Sequence, residues 1–255
     1  MKKLIILIIF LLSPLCYSNS SDDPSRLLKA YPDFLVGYDH NWLVWKDGDK
    51  IRFDDRKIKN FNTLLNHPDF QDQLIMTYPL GNQSFMPPQF NHDPGRVRYE
   101  PMFKKMYGSS PTEVKKNLIK MTWLPNSAPQ PILVTQVNGV NQKLQAVSNE
   151  LDELPSNLKK YVTQLAGTYN WRTISGTNRL SAHSFGIAID INVDYADYWK
   201  WNQPTKSNDI EYKNKIPQQI VEIFEKYGFI WGGKWYHYDT MHFEYRPELL
   251  INSKK

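Results

Sequence analysis

In the stretch RLSAHSFGIAIDIN, Arg179 to Asn192, Asp190 sits between Ile189 and Ile191, where a buried strand ordinarily carries an aliphatic side chain. A carboxylate taken from water needs a charged partner, because burying it alone is costly. His183, seven residues earlier, is the other half of a metal-ligand pair by residue type. On one continuous strand the two would lie about 23 Å apart and on opposite faces. On a straight helix they would be about 10 Å apart along the axis. Neither geometry lets both touch one ion. A turn at Ser184-Phe185-Gly186 would bring them together, and glycine permits the backbone angles such a turn needs. A third ligand must come from elsewhere, and YHYDTMHFEY offers His237, Asp239, His242 and Glu244. Two histidines and one carboxylate, with one position left open, make a catalytic zinc site. A nearby carboxylate that does not bind the metal can then act as general base.

These side chains have to be positioned by the elements around them. Phe185, Ile187, Ile189 and Ile191 alternate as strand residues do, and FIWGGKWYHYDTMHFEYRP reads as extended with a Gly-Gly break. Leu144, Val147, Leu151 and Leu154 mark one face of a helix that Pro155 ends. The same spacing at Leu158, Tyr161, Val162 and Leu165 predicts a second helix closed by Gly167. Pro217 opens a third, with Ile220, Ile223, Phe224 and Tyr227 on its apolar face and Gly228 at its end. YNWRTI is a strand candidate. Further upstream, NWLVWKDGDKIRFDD reads as a β-hairpin around a two-residue Asp47-Gly48 turn. QSFMPPQFNHDPGRVRYEP reads as a long irregular loop. SSPTEVKKNLIKMTWLP opens with a Ser110 cap and Glu113, then helical spacing. APQPILVTQVNG ends as a short strand into an Asn-Gly turn. Helices mixed with non-adjacent strands predict an α+β fold with a mainly antiparallel sheet flanked by helices.

The chain has 255 residues, 41% hydrophobic and 22% charged, enough to bury a sizeable core. The start, MKKLIILIIFLLSPLCYSNS, has Lys2 and Lys3, an apolar run from Leu4 to Leu12 and a breaking Pro14. That is the pattern of a secretory signal peptide over residues 1–18, and the run is too short to span a bilayer. The expected location is therefore periplasmic or secreted, with no stable membrane span in the mature chain. The one cysteine, Cys16, lies in this leader, so the mature protein has no disulfide. Removing Lys2 and Lys3 takes the formal charge from +5 to +3, too mild and too evenly spread for nucleic acid.

SAHSFGIAID matches the SxHxxGxAxD pattern of the zinc D-Ala-D-Ala peptidases of the VanY and VanX type, a family that includes phage L-alanyl-D-glutamate endolysins. DTMHFEY resembles their second motif, where an acidic residue precedes the last zinc-binding histidine by three. The resemblance runs from about Val134 to Arg246. It implies the Hedgehog/DD-peptidase fold for a catalytic domain over 128–255, with 19–127 as an amino-terminal extension. It implies one zinc per chain held by His183, Asp190 and His242, with Asp239 as catalytic acid/base. Many members carry glutamate at that position. Arg172 would polarise the scissile carbonyl or hold the substrate's carboxylate, and Ser181 would contact substrate. The segment between Arg172 and His183 is shorter than in most relatives and lacks their usual glutamine. His237 is a candidate for substrate contact, and Glu244, alternating with His242, for orienting its imidazole.

The implied substrate is a peptidoglycan stem peptide and the implied reaction D-Ala-D-Ala carboxypeptidase hydrolysis. Endopeptidase cleavage within the stem or at a cross-link is the alternative. A zinc-stabilised binding module is a third reading, and what sets it apart is the full set of Asp239, Arg172 and Ser181, which a pure binding module need not keep.

Overall fold

The computed structural model describes residues 23–81, 87–201 and 210–251. The leader expected over residues 1–18 lies outside them. No helix among the described residues is long and apolar enough to cross a membrane.

The amino-terminal part begins with α1 (Ser25–Ala30) and a three-stranded antiparallel sheet of β1 (Leu35–Asp39), β2 (Trp42–Trp45) and β3 (Lys50–Arg52). β2 and β3 form the expected hairpin, but its loop is one residue longer than two. The Trp45 N–H donates to the Asp49 carbonyl, and Gly48 takes φ +92° to close the loop. Helices α2 (Phe61–Asn66) and α3 (Phe70–Leu74) follow, capped by the side chains of Asn60 and Asp69. Residues 87–99 contain no helix or strand, in keeping with the loop reading, and run into α4 (Glu100–Tyr107).

Three sequence expectations are corrected here. Ser110 does cap a helix, but α5 (Pro111–Lys115) stops after five residues, and Leu118–Trp123 is strand β4. Met121 and Trp123 point inward and β4 pairs with β5 (Gln130–Thr135), so cross-strand packing overrides helical spacing. After α6 (Val140–Asp152), the second expected helix shrinks to α7 (Ser156–Lys159). Tertiary hydrogen bonds take its continuation. The Val162 carbonyl accepts from the Trp123 indole, and residues 166–167 exchange backbone bonds with Asp190. YNWRTI is not a strand. Thr173 makes one bridge to Leu180, while the Arg172 N–H donates to Ser184 Oγ.

The carboxy-terminal sheet has the order β6 (Ala188–Asp190), β8 (His242–Tyr245), β7 (Phe229–Trp231), all antiparallel. Its central strand β8 is wholly buried. The expected helix α8 (Gln218–Lys226) covers this sheet, with Phe224 stacked on Phe243 at 3.8 Å. α6 buries Leu144, Val147 and Leu151 against α8 and the β4–β5 hairpin, and α9 (Pro247–Leu250) packs beside α1. The architecture is α+β, with small antiparallel sheets and helices.

The boundary at residue 127/128 falls between β4 and β5, which pair over their full length. One hydrophobic cluster includes Leu27, Trp45, Phe70 and Phe103 from the first part with Leu144, Phe224 and Phe243 from the second. Buried polar groups join the parts as well. Glu248 accepts from Tyr31 Oη at 2.6 Å, Gln73 Nε2 at 3.0 Å and Arg246 Nε at 2.6 Å. The Trp235 indole donates to the Pro94 carbonyl at 2.6 Å. Gly95 takes φ +106°, and a Cβ there would lie 2.3 Å from Ile230 Cδ1, so only glycine lets this loop lie against β7 and β8.

Candidate metal centre

Ser181 begins the local structure of the site. Its hydroxyl caps a single 3-10 turn, Ala182–Phe185, that Gly186 ends at φ +68°. A Cβ on Gly186 would lie 2.7 Å from Leu118 Cδ2 and 3.1 Å from the Thr135 nitrogen, so the turn needs glycine for its angle and for its close packing. The chain then reverses into β6. This is the turn-and-return expected between His183 and Asp190.

Register supplies the third ligand. Asp190 and His242 are direct cross-strand partners in the β6–β8 pair, and partners in an antiparallel ladder present their side chains on the same face. His242 Nδ1 lies 2.9 Å from Asp190 Oδ1, His183 Nε2 lies 3.1 Å from Asp190 Oδ2, and the two ring nitrogens are 3.2 Å apart. A tetrahedral ion with bonds near 2.0–2.1 Å has ligand atoms about 3.3 Å from one another. The triangle of donors is close to that size, and the three side chains form a group able to hold a metal ion.

The outward nitrogens are engaged too. His183 Nδ1 donates to the Thr168 carbonyl, leaving Nε2 as the lone-pair donor toward the centre. His242 Nε2 lies 3.3 Å from Glu244 Oε2, leaving Nδ1 toward the centre. Such partners fix tautomer and ring orientation. Glu244, a strand residue in the sequence reading, is buried. It also meets Arg98 at 3.3 Å and Arg246 at 2.8 Å.

The electrostatics separate the carboxylates. Burial opposes the charge of Asp190, but His183 and His242 hold it well below the ordinary carboxylate range. Burial likewise opposes the charge of His242, yet hydrogen bonds to Asp190 and Glu244 push it up to about 10. Glu244 is held down to about 2, against burial, by His242, Arg98 and Arg246. Asp239 is the exception. Burial and the neighbouring Asp190 raise it to about 6, and its Oδ1 is buried without a hydrogen-bond partner among the described residues. A carboxylate with these properties, beside three donor atoms, is suited to take and return a proton.

His183, Asp190, His242 and Asp239 line one cavity of about 360 Å3 together with Arg172, Ser181, His237 and Glu244. All eight residues singled out from the sequence therefore meet in one place. Arg172 is exposed at the rim. His237 is held by Asp93, whose Oδ2 is 2.6 Å from Nδ1, and it stacks on Phe61 and meets the edge of Trp199.

The sequence reading missed Asp93, Arg96, Arg98 and Arg179. Arg96 and Arg98 lie in GRVRYEP, a stretch read only as loop. Their signal is the alternation around Val97, which is buried while both arginines line the cavity. In a second acidic group, Asp54, Asp55 and Asp69, two members already hold a cation. Lys59 Nζ lies 3.1 Å from both Asp55 and Asp69.

Residues 175–245 match the model of a protein family described as D-alanyl-D-alanine carboxypeptidase. That segment holds His183, Asp190, Asp239 and His242. Neither a curated protein nor a solved structure matches the chain.

Proposed function

We propose that the protein is a zinc metallopeptidase that hydrolyses peptidoglycan stem peptides at the terminal D-Ala-D-Ala bond. The observation that carries this reading is a three-donor cluster sharing one cavity with a half-buried carboxylate, one oxygen of which has no hydrogen-bond partner among the described residues. Two imidazoles and one carboxylate suit zinc, and the family match supports the reaction class. Zinc bound by His183, Asp190 and His242 would supply Lewis acidity and an acidified water. Asp239 accepts the proton of the attacking water and then delivers it to the leaving amine. Arg172, at the rim of the same cavity, faces the charge that develops on the scissile carbonyl. Ser181 keeps His183 on its turn through the cap. The leader pattern at residues 1–18 supports action outside the cytoplasm.

Endopeptidase cleavage is the second reading, favoured by a larger cavity of about 1020 Å3 that shares Arg96, Arg98, Arg179, Trp199 and His237 with the first. Digestion of purified muropeptides with mass analysis separates the two. Loss of a single terminal D-alanine from pentapeptides is the expected product. Stem fragments or separated cross-links would replace the carboxypeptidase reading. No hydrolysis of any muropeptide by zinc-loaded protein would overturn both.

A further inference from the structure

The two cavities meet at a small arginine cluster. The hairpin before His183 builds one side. Thr173 bridges Leu180, the Ser181 N–H donates to the Arg172 carbonyl, and the Ile174 N–H donates to the Arg179 carbonyl. In that register Arg172, Ile174, Arg179 and Ser181 share one face, and all four line the 360 Å3 cavity. The loop before α4 builds the other side with Arg96 and Arg98, which line both cavities, as Arg179 does.

The carboxylates nearby are committed elsewhere. Asp93 holds Arg96 and His237, Glu244 holds Arg98, Arg246 and His242, and Glu100 holds Lys104 and the Leu180 N–H. Among the described residues no carboxylate is in ion-pair contact with Arg179. One of its NH groups donates to the Arg96 carbonyl at 3.0 Å, and its Nε is without a partner. Arg98 is buried with its own Nε unpartnered. Burial, with repulsion from Arg98 and Arg96, pulls Arg179 down to about 10. An anion placed against Arg179 offsets this crowding of positive charge, and a carboxylate suits a guanidinium donor.

The second cavity says how large the rest of the ligand is. At about 1020 Å3 it is far roomier than a terminal dipeptide requires, and Phe61, Tyr99 and Trp199 give it aromatic walls.

We propose that Arg179, backed by Arg98, forms a carboxylate-binding subsite where the two cavities meet, and that the larger cavity receives the remainder of an extended acidic peptide. The amino-terminal segment thereby selects the substrate. The placing of the scissile bond at Asp239 rests on the peptidase reading, whereas the subsite itself is a matter of binding.

The test is calorimetric titration of the full chain, stripped of metal, with L-Ala-γ-D-Glu-L-Lys-D-Ala-D-Ala in three forms: free acid, carboxy-terminal amide, and D-Glu α-amide. The free acid should bind, and one amide should bind about tenfold or more weakly, as loss of a charged hydrogen-bond partner implies. A weakened terminal amide assigns the terminal carboxylate to the subsite, and a weakened D-Glu amide assigns the side carboxylate. Arg179→Gln should weaken the free acid by a similar factor and leave the sensitive amide unaffected, with Arg179→Lys restoring part of the loss. The proposal is overturned if the free acid does not bind, if both amides bind as tightly as it does, or if Arg179→Gln weakens all three forms equally. The amide comparison on the unsubstituted chain holds even if Arg179→Gln fails to fold. Absent hydrolysis by the zinc-loaded protein, with this binding pattern intact, would reject the peptidase reading alone.

Discussion

The metal centre and the contact between α1, α3 and the carboxy-terminal residues both bury carboxylates, and they treat them in opposite ways. Glu248 is completely buried, and both its oxygens accept hydrogen bonds, from Tyr31, Gln73 and Arg246. Asp239 is half-buried, but one of its oxygens accepts nothing among the described residues, and burial with the neighbouring Asp190 carboxylate opposes its charge. Around Asp190 the partners are two imidazoles whose nitrogens crowd together at 3.2 Å. A satisfied buried carboxylate ties segments together, since breaking such a network leaves charges unpaired. An unsatisfied one stores reactivity, since it waits for a proton or a cation. Glu244 belongs to both kinds of site, because it faces His242 on one side and Arg98 and Arg246 on the other.

This contrast can be broken by substitution. His183→Ala should have the largest effect, taking bound zinc from about one per chain to none and abolishing hydrolysis, with metal content read by mass spectrometry. Retention of stoichiometric zinc would refute the ligand assignment. Asp239→Asn should keep the metal but lower kcat by about 10²–10⁴-fold, the usual weight of a general acid/base. Normal turnover with metal bound would place the base elsewhere. Glu248→Ala should cost about 3–5 kcal/mol of stability, as removal of one partner from a buried pair does. Its thermal midpoint should fall while zinc per folded chain is unchanged, and the reverse outcome would erase the distinction between the two sites.

The smallest effect is on pH. His242, held up to about 10 in the metal-free protein, carries a proton near neutrality that a metal must displace. Zinc affinity should therefore fall as pH falls, by about tenfold per unit for each proton released. Calorimetry in buffers of different ionisation enthalpy would count that proton. A pH-independent affinity would contradict the proton's presence.

The site was far more legible than its surroundings. His183, Gly186, Asp190, Asp239 and His242 could be read because chemistry restricts residue type and because one turn and one strand pair set their spacing. α6 and α8 were legible from single apolar faces. The stretch after Pro155 was not, because Trp123 and Asp190 claim backbone groups that a helix would have used. β4 was mistaken for helix because Leu118, Ile119, Met121 and Trp123 suit either period until β5 lies beside them. Arg96 and Arg98 were lost in a loop whose purpose depends on a cleft made from residues some eighty positions later.

By itself the sequence determined the candidate donors, the general base candidate and the glycine that turns the chain between two of those donors, since each rests on side-chain chemistry or on a local backbone angle. The tertiary structure alone decided which carboxylates are satisfied and which wait. Hydrogen-bond partners and desolvation come from segments distant in the chain, so Glu248 became a tie, Glu244 a brace for His242, and Arg179 a cation at the edge of the cleft with no carboxylate in contact among the described residues.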